Sequence, residues 1–168
     1  MLSESARASS AAEARFRIEE PNSRPRAVKV IALDPASQAV AKRLSGGHWP
    51  NATFLTAFKP APAQRPSFSI KGWLGDLAGQ TKDLVAEINS ADLVVMLATA
   101  GQDAQAASII GEACSVKRVM TTALVLGTKS VSDAALSQTL AQLRPWSLML
   151  VIASAEEYIA DMLTALRA

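Results

Sequence analysis

Residues 27–35 read AVKVIALDP, an apolar run of strand length followed at once by an aspartate and a proline. Aspartate is a preferred helix N-cap, and proline is favoured at the first helical position. The stretch therefore predicts a buried strand that leads directly into a helix. The apolar face of this helix carries Val40, Ala41 and Leu44, and the helix is expected to end at residues 45–47, which read SGG.

The same strand-to-helix unit recurs three times toward the C-terminus. The predicted strands are residues 92–98, 118–126 and 147–153, and the helices that follow them are residues 103–116, 132–143 and 155–167. Strands that are apolar along their whole length are covered on both faces. This pattern is typical of a parallel sheet that lies between two layers of helices.

Three further elements complete the predicted domain, which comprises residues 27–168. A strand is predicted at residues 51–58, a short edge strand at 67–71 and a helix at 77–90. Right-handed crossovers then favour a Rossmann-like, doubly wound α/β fold with a mostly parallel sheet of about six strands in the order 3-2-1-4-5-6.

Residues 1–26 differ in composition from the rest and are predicted to form a partly helical N-terminal arm. Charges of both signs are mixed in it, and Phe16 and Ile18 are its sizeable apolar residues in the helical stretch. Two interpretations stay open: a solvated arm, or a segment that docks on its own domain or on a second subunit.

Composition excludes several classes of function. The net charge of +2 is far below the excess of a typical nucleic-acid binder, and one cysteine with one histidine leaves no disulfide framework or multi-cysteine zinc site. The sequence shows no apolar run of membrane-spanning length and no signal peptide, so we expect no membrane association and a cytoplasmic location. No glycine-rich phosphate loop is present, and no cofactor is expected.

A ligand site in such a sheet lies beyond the carboxyl ends of the strands, where the strand order reverses. Here the loops at residues 34–37 and 99–103 meet at that point, and the loop at 127–130 lies one strand along. The candidate binding residues of this pocket are Asp34, Ser37, Thr99, Gly101, Gln102, Asp103 and Lys129. No catalytic residue is predicted, because no Ser-His-Asp arrangement or activated thiol can be assembled.

The two aspartates of this pocket allow two interpretations. Asp34 and Asp103 either cap helices or form a carboxylate pair that holds a cation or an amine; Lys129 is either a solvated loop charge or an anion contact. If capping is the whole role of Asp34, replacement by asparagine should be nearly neutral. Two like charges about 4 Å apart repel by roughly 4 kcal/mol at an effective dielectric constant of 20, so an unassisted phosphate is disfavoured.

Residues 27–44, 91–127 and 140–154 resemble the GTP-binding half of tubulin and of its bacterial relative FtsZ. The similarity is greatest in Ala91-Asp92-Leu93-Val94-Val95-Met96, which leads through Thr99-Ala100-Gly101 into a loop and a helix. The family's glycine-rich GGGTGTG loop is replaced here by residues 102–107, QDAQAA. The resemblance implies a nucleotide-binding scaffold that has lost its phosphate loops.

Two functions from different classes remain. The first is a non-enzymatic protein-interaction or scaffold protein built on a degenerate nucleotide-binding-type domain, whose partner is a second copy in a homodimer or another protein. In that case the arm or the terminal helix is expected to contribute to the contact. The alternative is a small-molecule-binding protein or enzyme that uses a pocket without a glycine-rich phosphate loop at the point where the strand order reverses.

Overall fold

The computed structural model describes residues 24–57, 74–153 and 155–168. Most of the predicted arm and the predicted edge strand at 67–71 therefore lie outside the described residues. The strands are β1 (Val28–Ala32), β2 (Ala52–Ala57), β3 (Leu74–Asp76), β4 (Thr81–Lys82), β5 (Leu93–Thr99), β6 (Met120–Leu126) and β7 (Met149–Ile152). The helices are α1 (Pro35–Leu44), α2 (Leu84–Asn89), α3 (Ala106–Lys117), α4 (Asp133–Leu143) and α5 (Glu157–Ala165), with 3-10 turns at Thr128–Ser130 and Arg144–Trp146.

The seven strands seen among the described residues form one sheet in the order β4-β3-β2-β1-β5-β6-β7. Strands β2, β1, β5, β6 and β7 are parallel, whereas β3 and β4 run antiparallel to their neighbours. The predicted α/β class and the mostly parallel sheet flanked by helices are thus confirmed. The predicted six strands and the order 3-2-1-4-5-6 are wrong, because a hairpin adds strands at the edge beyond β2.

A tight turn explains this hairpin and shortens the helix predicted at residues 77–90. The Asp76 carboxylate accepts hydrogen bonds from the N–H groups of Ala78 and Gln80, at 2.9 and 2.8 Å. Gly79 has a φ of +83°, a left-handed conformation that glycine adopts without strain. The helix therefore begins only after Asp83, whose side chain caps it.

The sheet is buried on both faces. One face packs against α2, α3 and α4 through residues such as Ile88, Ile110 and Leu140, and the other packs against α1 and α5 through residues such as Val40 and Ile159. The continuous apolar runs of β1 and β5 follow from this two-sided cover. Parallel strands in this arrangement present their carboxyl ends, and the loops that follow them, along a single edge of the sheet.

Helix α3 touches the 3-10 turn Arg144–Trp146 at Gly111. A Cβ atom at position 111 would lie 2.4 Å from the Cβ atom of Trp146, a distance that real Cβ atoms do not reach. Trp146 is partly buried against the core at this point. Glycine is therefore required here by the close packing of the Trp146 side chain against α3.

The Gly111→Ala variant is expected to lose about 1–3 kcal/mol of unfolding free energy, because α3 must move away from the turn. This net loss remains after alanine's higher helix propensity, which by itself would stabilise the helix by about 1 kcal/mol relative to glycine. Urea denaturation of the variant and of Ser115→Ala, an exposed position on the same helix, measures the difference. A Gly111→Ala protein as stable as the unchanged chain would contradict the close approach.

Candidate functional site

The strand order reverses between β1 and β5. From β1 the chain first builds β2 and the hairpin on one side, and it then returns to place β5, β6 and β7 on the other side. The carboxyl ends of β1 and β5 therefore frame the position where ligands bind in open α/β sheets. The two loops predicted to meet there, at residues 34–37 and 99–103, are joined by direct hydrogen bonds.

Asp34 is the central polar residue of this site and is only 8% exposed. Its Oδ1 atom accepts hydrogen bonds from the backbone N–H of Ser37 at 2.8 Å and from the hydroxyl of Thr99 at 2.9 Å. Its Oδ2 atom accepts a bond from the backbone N–H of Thr99 at 2.8 Å. The carboxylate thus caps α1 and at the same time ties α1 to the end of β5.

Ser37 completes the cap from inside the helix. Its hydroxyl accepts a hydrogen bond from the Asp34 N–H at 3.1 Å and donates one to the Asp34 carbonyl at 2.9 Å, and the residue is fully buried. The predicted capping role of Asp34 is confirmed. Asp34 also accepts two hydrogen bonds from Thr99, which the capping prediction did not include. The sequence does not reveal them, because the two residues are 65 positions apart.

Helix α4 holds the loop after β5 through the hydroxyl of Thr139. This hydroxyl accepts a hydrogen bond from the N–H of Gly101 at 3.0 Å and lies 3.1 Å from the Gln102 carbonyl, an acceptor. Thr139 is 1% exposed. The sequence places Thr139 in line with Leu136 and Leu143 on one face of α4, but it does not indicate the loop as its partner.

Gln142, one turn further along α4, makes the second contact with the loop. Its Oε1 atom accepts a hydrogen bond from the Ala104 N–H at 2.6 Å, and its Nε2 atom donates one to Asp103 Oδ1 at 3.3 Å. Asp103 Oδ1 also accepts the N–H of Gln105 at 3.0 Å. The side chain of Asp103 therefore organises its own loop. The predicted capping role of Asp103 is wrong, because α3 begins at Ala106 with Gln105 at the N-cap position.

Backbone donors in the loop at residues 99–105 are already used by the protein. Two more of them bond to carbonyl oxygens: the N–H of Ala100 to Leu126 at 2.8 Å and the N–H of Gln102 to Thr99 at 3.0 Å. With the donors described above, six N–H groups of this loop have partners within the chain. They belong to Thr99, Ala100, Gly101, Gln102, Ala104 and Gln105.

A cavity of about 290 Å³ opens beside this loop, at the carboxyl ends of β1 and β2. Its polar lining comes from Asp34, Gln38, Thr56, Gln102 and Asp103. Three of the predicted candidate residues thus line one cavity. Gln38 and Thr56 were not among the predicted residues, because nothing in their local sequence indicates that α1 and β2 border the same space.

The other predicted site residues lie apart from the cavity lining. Ser37 and Thr99 are occupied in the Asp34 cap, and Gly101 forms the turn after β5 with a φ of +81°. Lys129 is exposed on the turn that follows β6 and does not line the cavity. The side chains brought together are therefore acidic and amide groups, without the lysine.

Other chemistry-bearing residues are remote from the site. Cys114 is buried in α3, and burial raises the pKa of its thiol to about 12, so the reactive thiolate is scarce at neutral pH. His48 follows the C-terminal end of α1, which lies away from the carboxyl ends of the strands where the site is. Residues 24–57, 74–153 and 155–168 contain no group of three or more side chains placed to hold a metal ion.

The tryptophans described by the structure pack onto the protein itself. Trp49 donates its indole N–H to the Leu44 carbonyl at 2.6 Å, and Trp146 lies against Gly111. Trp73 lies outside the described residues. None of the helices described is both long enough and apolar enough to cross a bilayer.

Comparison of the chain with protein-family models and with curated protein sequences found no match.

Proposed function

We propose that this chain is a non-enzymatic protein-interaction domain, built on a nucleotide-binding-type scaffold whose phosphate site has been filled by the protein's own side chains. The supporting observation is the hydrogen bonding of the loop at residues 99–105, where six backbone donors have internal partners. In a working phosphate loop, such donors point at the ligand.

The carboxylate of Asp34 occupies the place that a phosphate would take at the start of α1. The carboxylate accepts hydrogen bonds from the N–H groups of Ser37, at the start of α1, and of Thr99. A bound anion would accept hydrogen bonds from the same donors. A bound phosphate would have to displace this carboxylate while Asp103 remains nearby as a second negative charge. Repulsion between such charges costs roughly 4 kcal/mol at 4 Å and an effective dielectric constant of 20.

The resemblance to the tubulin and FtsZ family fits the same proposal. In that family the loop after the strand that corresponds to β5 is rich in glycine, whereas here it contains Gln102 and Asp103 and is bonded to α4. A family member that no longer binds GTP keeps the scaffold for contacts between proteins. We propose such a degenerate relative.

The test is a thermal-shift and calorimetric titration of the full chain with GTP, GDP, ATP, NAD and FMN, each with and without Mg²⁺. A ligand present at about 100 times its dissociation constant adds roughly 2.7 kcal/mol to stability. For a chain of this size that corresponds to several degrees in Tm. We expect no shift with any nucleotide.

A dissociation constant for GTP in the micromolar range would overturn the proposal. The Gln102→Ala variant then serves as the control, because Gln102 lines the cavity and lies in the loop at issue. Loss of the signal in this variant would locate the nucleotide at the site described, and an unchanged signal would place it elsewhere on the protein.

One observation favours a second candidate, a small-molecule-binding protein. The cavity of about 290 Å³ carries five polar side chains, two of them carboxylates. Its volume is at the lower end of the roughly 300–1,000 Å³ typical of ligand pockets. Its acidic lining would suit a small amine or a cation rather than a nucleotide.

A thermal-shift panel of small primary amines, amino acids and divalent cations distinguishes the two candidates. A shift of several degrees that disappears in Thr56→Val, a change of similar volume that removes a polar group of the cavity, would favour the small-molecule candidate. Absence of any shift across the panel favours the protein-interaction domain.

A further inference from the structure

Three of the six large hydrophobic side chains that are exposed among the described residues lie on or beside β7. Leu148 is 79% exposed, and Met149 and Ile152 are each 48% exposed. Strand β7 pairs with β6 on one side and has no strand on the other side among the described residues. The β7 edge, defined as residues 147–153, thus combines open backbone hydrogen-bonding groups with apolar side chains.

The opposite edge of the sheet is built differently. There β4 has only two residues, folds back on β3, and carries Lys82 close to Asp76. Short strands and charged residues are the usual means by which proteins prevent edge-to-edge pairing. Strand β7 has neither a charged residue nor a proline among its four residues, MLVI. The β4 edge is therefore protected against pairing with another strand, whereas the β7 edge is suited to such pairing.

The side chains of β7 alternate between the two faces of the sheet. Leu150 packs toward the core below α2, α3 and α4, and Val151 packs toward the core below α1 and α5. Leu148 and Ile152 share the face of Leu150, and Met149 shares that of Val151. The largest exposed groups at both ends of β7 therefore lie on one face.

We propose that β7 pairs with β7 of a second copy of this chain, antiparallel, around a two-fold axis that passes midway between the Leu150 residues of the two copies. This register places Leu148 opposite Ile152 of the second copy, on the same face of a continuous sheet. A two-fold contact uses one surface on both copies, as most homodimers do. The proposal rests on the proposed function, for which it names the partner as a second copy.

The apolar side chains support a second copy as the partner. Leu148 and Ile152 lie at opposite ends of β7, and both are exposed. In an antiparallel pair the amino end of one strand lies beside the carboxyl end of the other. Leu148 of each copy is thus brought beside Ile152 of the other, so apolar groups meet twice across the axis.

The size of the edge matches what a stable dimer requires. Residues 147–153 extend over about 23 Å as a strand. A sheet with one helix layer on each face is about 30 Å deep, which gives a footprint of about 700 Å². Typical stable interfaces bury roughly 800 Å² per partner. The protected opposite edge predicts a closed dimer and no larger assembly.

The first experiment measures the mass of the full chain by sedimentation equilibrium over a range of concentrations. We expect a monomer–dimer equilibrium that Leu148→Asp weakens by at least roughly 100-fold, because pairing would bury a carboxylate in an apolar contact. Val116→Asp is the matched control. Val116 is 75% exposed on α3 and lies outside the β7 edge, so its variant should dimerise like the unchanged chain.

The second experiment tests the register of the pair. Ile152→Lys places an ammonium group opposite Leu148 of the second copy and should weaken the dimer as Leu148→Asp does. An equimolar mixture of the two variants should recover dimerisation, because in the mixed dimer the carboxylate at position 148 faces the ammonium group at position 152, and Ile152 faces Leu148 at the other contact.

Three results would overturn the proposal: a chain that stays monomeric at millimolar concentration, a dimer indifferent to both Leu148→Asp and Ile152→Lys, or equal loss of the dimer in Val116→Asp. None of them bears on nucleotide binding, so the proposed function is judged separately by the nucleotide titration. A monomer that binds no nucleotide would retain the interaction domain with a different protein as its partner.

Discussion

Replacing Asp34 with alanine is expected to lower the free energy of unfolding by about 3–5 kcal/mol. The substitution removes the cap of α1, worth about 0.5–2 kcal/mol, and two bonds to Thr99 that are stronger because the acceptor is charged. It also leaves buried donors without partners. Urea denaturation followed by circular dichroism measures the loss, and Tm should fall by roughly 10 °C.

The control for Asp34 is Asp83, the cap of α2. The Asp83 carboxylate accepts the N–H groups of Val85 and Ala86, and the structure gives it no bond to another strand. Asp83→Ala is therefore expected to cost only about 0.5–2 kcal/mol. If both alanine variants lose the same amount, the tie between α1 and β5 contributes nothing.

Asp34→Asn separates the two roles of this carboxylate. An asparagine oxygen can still cap α1, but its amide nitrogen would face the N–H of Thr99, and two donors cannot bond. We expect a cost of about 1–3 kcal/mol, the penalty of a buried donor without a partner. If Asp34 only capped α1, Asp34→Asn would leave the free energy of unfolding nearly unchanged. An unchanged stability would therefore show that the bonds to Thr99 contribute little.

The second large effect is expected at Lys29, a charged residue in the middle of the central strand β1. Lys29 is 9% exposed, and its Nζ atom lies 2.9 Å from Glu87 Oε2 on α2 and 3.2 Å from the Thr53 hydroxyl. Glu87→Ala leaves the ammonium group buried with one neutral partner. We expect a loss of about 2–4 kcal/mol, measured by urea denaturation, since breaking a buried pair strands a charge.

Removing both charges should have a much smaller effect than removing one. In the Lys29→Met/Glu87→Leu variant, apolar groups of similar size replace the pair, and stability is expected to be unchanged or higher. The control is the exposed pair between Arg43 and Glu156. Its hydrogen bond raises the pKa of Arg43, yet Glu156→Ala should hardly change the urea midpoint because water already solvates both groups.

A Glu87→Ala protein of full stability would show that water reaches Lys29. A double variant as unstable as the single one would show that packing at this position, and not the buried charge, carries the effect.

Local patterns were sufficient for much of the fold. The run at residues 27–33 and the Asp34-Pro35 pair predicted β1, its helix and the cap correctly, because capping and burial act within a few residues. The three strand-to-helix units that follow were also recovered within a few residues at their ends. The hairpin was missed since its turn depends on the Asp76 side chain and on Gly79, within a stretch whose apolar spacing resembles a helix.

The candidate site was predicted only in part. The sequence placed Asp34, Gln102 and Asp103 together at the carboxyl ends of the strands, and all three line the cavity. It gave no indication that Thr139 and Gln142 hold the loop, because those bonds join residues 38 positions apart. Lys129 was included because its loop follows the carboxyl end of β6, the end of the strands at which the site lies. Its side chain is not part of the cavity lining.

By itself, the sequence determined that this protein has an α/β fold with a mostly parallel sheet and that its loops lack the glycines of a phosphate site. Both follow from residue type and periodicity, which depend on neighbours a few positions away. Only the tertiary structure decided where the backbone donors of the loop at residues 99–105 find their partners and that β7 is the last strand of the sheet among the described residues. Those outcomes depend on which distant segments pack together, and hydrogen bonds between them form only once the strand order is set.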